Sequence, residues 1–294
     1  MENNKPLTGA LAALAAFSLW GAIPIYFKAV STIPAFEILA HRIVWTVVFL
    51  GIIITLKGSI SNVFEVFQNK KLLLTLMLSS LLISSNWLVF IWAVAHDRVL
   101  EASLGYFTTP IVSVALGMCF LRERLRTWQW FAVGLSVLGV SNLVWSHGAI
   151  PWVAITVSIT FGLYGLVRKI AEVDAFSGLF VETALIVLPM LVYLIFIGMN
   201  GTGVYSSSNE KLSGLLMMAG LVTAIPLILF AIAAKRLKLS TLGFFQYITP
   251  TGQFLLAVFL YNEPFLDSHL ITFAIIWLAL TIYSFDSFTA HSQK

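Results

Sequence analysis

The sequence predicts an all-α integral membrane protein: ten transmembrane helices, arranged as two inverted five-helix repeats. Three observations carry that prediction. The chain is too apolar for a soluble protein, its apolar runs have the length of membrane spans, and its two halves repeat one another at a fixed offset. Of the 294 residues, 59% are hydrophobic and 10% charged, with a mean hydropathy of +0.95. Soluble domains carry about 25% charged residues. Lipid offers the backbone no hydrogen-bond partner, so apolar runs of about 20 residues must be helices.

Ten such runs can be read, at 8–28, 37–56, 72–95, 101–121, 126–146, 150–169, 176–198, 212–234, 240–261 and 267–286. The first follows Lys5 and continues to Phe27, too long for the apolar core of a secretory signal, so it is read as a span. It carries Trp20 and Pro24. The second opens with Glu37 and continues to His41 and Arg42. The third carries Asn86, Trp87 and Trp92, the fourth Tyr106 and Pro110. Trp128 and Trp130 at the start of the fifth, and Trp152 at the start of the sixth, read as an interfacial belt. The sixth holds Tyr164, the seventh Glu182 and Pro189, and the eighth Pro226. The ninth holds Gln246, Tyr247 and Pro250. Turn and polar residues punctuate the breaks, as at Ser31-Thr32-Ile33-Pro34 and Gln68-Asn69-Lys70-Lys71. The longer loops, 57–71 and 199–211, are too short for a domain.

The repeat is explicit. Leu104-Gly105-Tyr106-Phe107-Thr108-Thr109-Pro110 answers to Phe244-Phe245-Gln246-Tyr247-Ile248-Thr249-Pro250, and Glu123 answers to Glu263, all at an offset of 140. The same offset pairs Phe90 with Phe230 and Ala93 with Ala233. Trp20-Gly21 resembles Tyr164-Gly165 at a slightly larger spacing. Each repeat has five spans, an odd number, so the second half (148–294) is inverted relative to the first (1–147). The charge bias agrees. With the N-terminus inside, the inside segments hold thirteen of the 17 Lys and Arg, the outside loops hold Lys28, Arg98 and Lys211, and Arg42 lies within a span. That distribution puts both termini in the cytoplasm.

With these features the chain is similar to the EamA group of the drug/metabolite transporter superfamily. The strings Glu37-Ile38-Leu39-Ala40-His41-Arg42 and Gly243-Phe244-Phe245-Gln246-Tyr247 resemble its RarD branch more narrowly, as do Trp20 through Lys28 and Leu100 through Phe107. The likeness runs from near residue 8 to near residue 286. It implies a multi-pass carrier in a bacterial inner membrane, with a central cavity between the halves and export of a small amphipathic metabolite or drug. The branch carries a label linking it to chloramphenicol sensitivity.

Charge within a span is costly and marks a site. Arg42 lies about 8 Å below Glu37 at the rise of about 1.5 Å per residue, and Glu37 and His41 share a face. In one reading Arg42 faces the cavity and binds an anionic group; in the other it snorkels to the outer interface with Glu37 as partner. Glu182 reads either as a proton-coupling or substrate contact, or as a polar helix end. Glu123 and Glu263 read as caps or loop anchors. Pro110 and Pro250 each remove a helical bond and free the carbonyls of Tyr106 and Gln246. Kinked helices there would line the pathway, with Tyr106, Gln246 and Tyr247 as polar contacts, or Thr109 and Thr249 would satisfy the kink locally. Pro24, Pro189 and Pro226 add possible hinges. Trp20, Asn86, Trp87, Trp92 and Tyr164 are wall candidates, against an interfacial-belt alternative for each aromatic. Asn86 stands out, because a mid-span amide needs a partner.

The chain has no phosphate-binding Gly-rich Lys-Ser/Thr loop, no His-Glu-x-x-His pair and no Gly-x-Ser-x-Gly. Energy must come from a gradient; no cofactor or metal is expected. The positive net charge is an orientation signal and not a nucleic-acid footprint. The expected partners are a small-molecule substrate and the bilayer. Ten helices can enclose a cavity in one chain, so a monomer suffices. The lone Cys119 excludes an internal disulfide and is expected to be a buried, inert thiol. An intramembrane enzyme, with only Glu37, His41 and Arg42 clustered, and a scaffold without flux are the competing readings.

Overall fold

The computed structural model describes residues 5–121, 125–147, 150–204, 210–234, 236 and 245–292. Among these the structure is helical, without a strand. The elements are α1 (Lys5–Ala29), α2 (Ala35–Leu56), α3 (Ile60–Gln68), α4 (Lys70–Ala95), α5 (Val99–Leu121), α6 (Thr127–His147), α7 (Trp152–Ile170), α8 (Ala175–Met199), α9 (Glu210–Ala234), α10 (Ile248–Leu255) and α11 (Asp267–Ser292). Seven of them, α1, α2, α4, α5, α7, α8 and α9, are long and apolar enough to cross a membrane. Their outward faces are apolar, as Leu188, Val192, Ile195 and Phe196 on α8 illustrate. Water would penalise such a surface; lipid does not.

Three expectations change. The 57–71 connection contains a helix, α3, with Val63 and Val66 buried and Ile60, Phe64 and Phe67 exposed. Its apolar residues fall within one arc of the helix, the pattern of a segment lying at a membrane face. The ninth run is not one continuous α-helix. A turn at Tyr247 precedes α10, and α10 passes into a π-helical stretch, Leu256–Leu260. Pro250 therefore occupies the first turn of α10, where proline costs no helical hydrogen bond, and not mid-helix. Residues 240–244 lie outside the described residues, as does Glu123. Cys119 is exposed on α5, because its side of the helix faces outward and not into the packing.

The packing runs mainly between residues 1–147 and 148–294. α2 packs on α8 and α9, α1 on α9 and α10, α5 on α7 and α10, and α4 on α7 and α8. Taken in order α2, α9, α1, α10, α5, α7, α4, α8 and back to α2, these pairings close a ring of eight helices. α6 and α11 pack on each other beside it. Small residues permit the close crossings. A Cβ on Gly105 would lie 2.8 Å from the Ala154 carbonyl oxygen, and one on Gly220 2.5 Å from the Trp45 carbonyl carbon.

Candidate functional site

Arg42 sits two turns into α2 and is 4% exposed. Its guanidinium lies 4.0 Å from the Trp87 ring centroid and 5.5 Å from that of Phe27. Its Nε donates to Thr223 Oγ1 at 2.8 Å, and that hydroxyl donates onward to the Ala219 carbonyl at 2.9 Å. The hydroxyls of Tyr26 and Tyr106 also lie in its neighbourhood. These neighbours come from α1, α4, α5 and α9, so a side chain rooted on α2 must run into the ring and not out to the interface. Its two terminal nitrogens make no hydrogen bond, and no carboxylate pairs with it, among the described residues. Thr46, one turn further along α2, is fully buried, and its hydroxyl has no partner among the described residues.

Glu37 and His41 turn elsewhere. A Glu37 oxygen accepts from the Val204 amide at 2.7 Å and lies 3.9 Å from His41 Nε2. Both side chains are buried, and they tie the start of α2 to the segment before α9. The three residues are neighbours in sequence, yet Glu37 faces a loop amide while Arg42 faces the ring.

A second polar centre lies among α4, α7 and α8. Glu182 is 1% exposed. Ser79 donates to one carboxylate oxygen, and Ser80 donates to the Glu182 carbonyl at 2.6 Å. The Tyr164 hydroxyl reaches the other carboxylate oxygen at 3.5 Å, and Arg168 Nη1 lies 3.5 Å from the first. The Arg168 guanidinium occupies the space that a Cβ on Gly178 would fill. Arg168 was counted with the inside loops from sequence; it is carried by the last turn of α7 and points at Glu182.

Asn86 finds the partners its depth demands. Its Nδ2 donates to the Val157 carbonyl at 2.9 Å and to Thr160 at 3.0 Å, and its oxygen accepts from the Tyr106 hydroxyl at 3.0 Å. It thereby ties α4, α5 and α7 together. Phe161 stands 5.9 Å from both Tyr106 and Tyr164, ring to ring, so an aromatic row leads from the Arg42 surroundings to Glu182.

The remaining candidates lie around α10. Trp20 packs between Phe17 and Phe230 at 5.5 and 5.8 Å, and its carbonyl accepts from Gln253 Nε2 at 3.3 Å. Gln246 and Tyr247 are half-buried at the entrance to α10. The Pro250 carbonyl accepts from Ser103 at 2.7 Å, and Thr249 donates to the Phe17 carbonyl at 3.0 Å, so the hydroxyls here link different helices. Pro24 and Pro226 lie inside α1 and α9. Pro110 lies on α5, its side chain outside the described residues. Glu263 caps α5, accepting from the Val99 and Leu100 amides at 2.8 Å each. Burial raises its pKa, against the opposing pull of those two amides. No three metal-ligating side chains gather among the described residues.

Sequence reasoning missed Thr223, Arg168, Ser79 and Thr46. Single hydroxyls in apolar runs are common, so only the helix pairing singles out these three. Arg168 had a usable signal, lying a helical turn beyond Tyr164.

A model of the EamA-like transporter family matches residues 7–145. An uncharacterized transporter of Vibrio cholerae is 46% identical over 282 residues, covering 96% of this chain and 93% of that protein. Protein RarD of Salmonella typhimurium is 44% identical over 294 residues, covering 100% of both. A solved crystal structure, described only as that of a protein, superposes with a TM-score of 0.62 at 17% identity, covering 95% of this chain and 97% of that one. That last likeness bears on the fold alone.

Proposed function

The chain belongs to the EamA-like transporter family, with RarD proteins among its relatives, and on that premise we propose that it is a secondary carrier for a small amphipathic organic anion. The observation that carries the reading is Arg42: a guanidinium buried among side chains of α1, α4 and α9, stacked on Trp87, with no carboxylate partner among the described residues. An unpaired buried charge is expensive, and a carrier recovers that cost when an oxyanion arrives. The aromatic lining of Phe27, Trp87 and Tyr106 suits a ring or apolar tail on the same molecule.

Ten spans in two inverted five-helix halves supply the alternation. The helix pairings support this reading, because they come in sets related by exchanging the halves. α1 on α9 matches α4 on α7, α1 on α10 matches α5 on α7, and α2 on α9 matches α4 on α8. Pro24, Pro110 and Pro226 are hinge positions in this scheme, and in the ninth span the turn at Tyr247, just before the Pro250 that starts α10, takes that part. A gradient drives flux, export is the direction the family resemblance implies, and the Lys and Arg bias puts both termini in the cytoplasm of a bacterial inner membrane. Carrier is preferred to enzyme because Glu37, the acid nearest Arg42 in sequence, is engaged by Val204.

The test is counterflow in liposomes holding the purified chain, with a panel of aromatic carboxylates and sulfonates and chloramphenicol as a neutral member. Saturable exchange of an anionic member, lost in a folded Arg42→Gln variant, is expected. Exchange confined to neutral compounds, or unchanged by the substitution, would overturn the reading.

A further inference from the structure

Arg42 and Glu182 lie 140 residues apart, the offset that also relates Phe90 to Phe230. Each occupies the second helix of its half, and each takes a hydroxyl from the third helix of the other half. Thr223 on α9 serves Arg42, and Ser79 on α4 serves Glu182. The two intramembrane charges are thus counterparts of opposite sign. Their environments differ in one respect: Glu182 faces the Arg168 guanidinium at 3.5 Å, whereas Arg42 faces no acid among the described residues. The aromatic row Tyr106, Phe161 and Tyr164 separates them.

From this arrangement we propose that Glu182 is a proton-binding station, loaded together with an anion held at Arg42. The inference rests on the carrier reading above and names its coupling ion. A proton taken from solvent adds to a Glu182 carboxylate oxygen and neutralises it. Arg168 keeps its charge and loses its counter-ion. The ring interior then carries one more uncompensated positive charge, which strengthens anion binding, and by linkage the anion strengthens proton binding equally. Loaded with both, the interior has the same net charge as when empty, so proton and anion cross together without moving net charge. Export by this route runs down the anion's own outward gradient, because an inward proton gradient would draw the pair in.

The groups around Glu182 are consistent with this role. From α7 come Tyr164 and Arg168; from α4 come Ser79 and Ser80, which do not titrate. α2 contributes Arg42 at the ring and Lys57 over Phe176 near the start of α8. α3 carries Glu65, which is exposed, and α9 carries Glu210 and Lys211 in its first turn. On α8 itself, Asp174 caps the helix start, and Tyr193 lies three turns away, near Glu37. His41, next to Arg42 in sequence and 3.9 Å from the Glu37 carboxylate, is a further group able to take a proton, so the test must separate it from Glu182.

The experiment uses the full chain in detergent and benzenesulfonate, an anion at every working pH, so that any proton bound belongs to the protein. Binding is followed by tryptophan fluorescence, and proton uptake by an indicator dye in weak buffer. Wild type is expected to take up about one proton per anion, with Kd weakening by up to about tenfold per pH unit as Glu182 ionises. Glu182→Gln binds without uptake and with a flat pH profile, while His41→Asn keeps the uptake. If the Gln variant does not fold, infrared difference spectra of wild type and Glu182→Asp replace it: binding must create a protonated-carboxyl band that moves with the substitution. Uptake that persists in Glu182→Gln, binding without uptake in wild type, or no such band overturns the proton station and leaves the carrier reading standing. Absence of benzenesulfonate binding, or equal binding by Arg42→Gln, overturns the Arg42 anion site and this inference with it.

Discussion

Arg42 is held by an indole face and a hydroxyl, and this decides what substitutions there will do. Arg42→Lys keeps a positive charge but loses both the planar fork and the broad stack on Trp87. Benzenesulfonate affinity is expected to fall by at least about tenfold in Arg42→Lys, and by less in Trp87→Leu, as titrated by tryptophan fluorescence for the first and calorimetry for the second. Equal affinity in wild type and Arg42→Lys would mean that a point charge suffices and the fork is idle. The sequence made Arg42 conspicuous because charge in an apolar run has no bland explanation. It could not give the direction of the side chain, since two turns from a helix end either the interface or the interior is within reach. Thr223 decided that, and nothing marks Thr223 in the sequence apart from dozens of similar hydroxyls.

At the scale of single elements, the helices were legible because their limits are set by apolar length and by turn residues such as Pro34 and Asn69. The exceptions have local causes. α3 was hidden in a stretch too short and too polar on one side to register as a span. The break at Tyr247 follows from Pro250, which starts α10 more readily than it interrupts one. Glu263 was read as a cap or loop anchor; it caps α5, a helix of the other half, which no local pattern could disclose. Glu263→Ala leaves two α5 amides without their acceptor and should cost about 1–2 kcal/mol of stability, read as a lowered Tm. Because burial raises the Glu263 pKa, the folded state holds that proton more firmly than the unfolded state. Its contribution to stability therefore falls as pH rises from the ordinary carboxylate value through the raised one, and Glu263→Gln should flatten that decline. Gly220→Val tests the α2–α9 crossing. Its side chain would overlap the Trp45 backbone, so a loss of about 1–3 kcal/mol is expected, with Arg42 displaced from Thr223 and anion affinity reduced as a consequence.

At the scale of the molecule, the ring of eight helices makes one topological demand. α2 pairs with α8, and α5 pairs with α10, so corresponding helices from the two halves lie side by side. If the halves are inverted, such neighbours run antiparallel where a direct repeat would make them parallel. The membrane sides of the connecting loops follow. Asp97, between α4 and α5, must face outside with Lys28, to which it is paired. Ser61 and Glu65 on α3 must face the cytoplasm, and Arg236, after α9, must share that side. Cys119 is the only native thiol and is exposed, so it is first replaced by Ser. Single cysteines at 61, 97 and 236 are then labelled with a membrane-impermeant maleimide in intact cells and after permeabilisation. Position 97 should react in intact cells, and positions 61 and 236 only after permeabilisation. Labelling of 61 and 236 from opposite sides would make the halves direct repeats. The exchange-related pairings would then need another explanation, and the alternation between two inverted halves would fail with them.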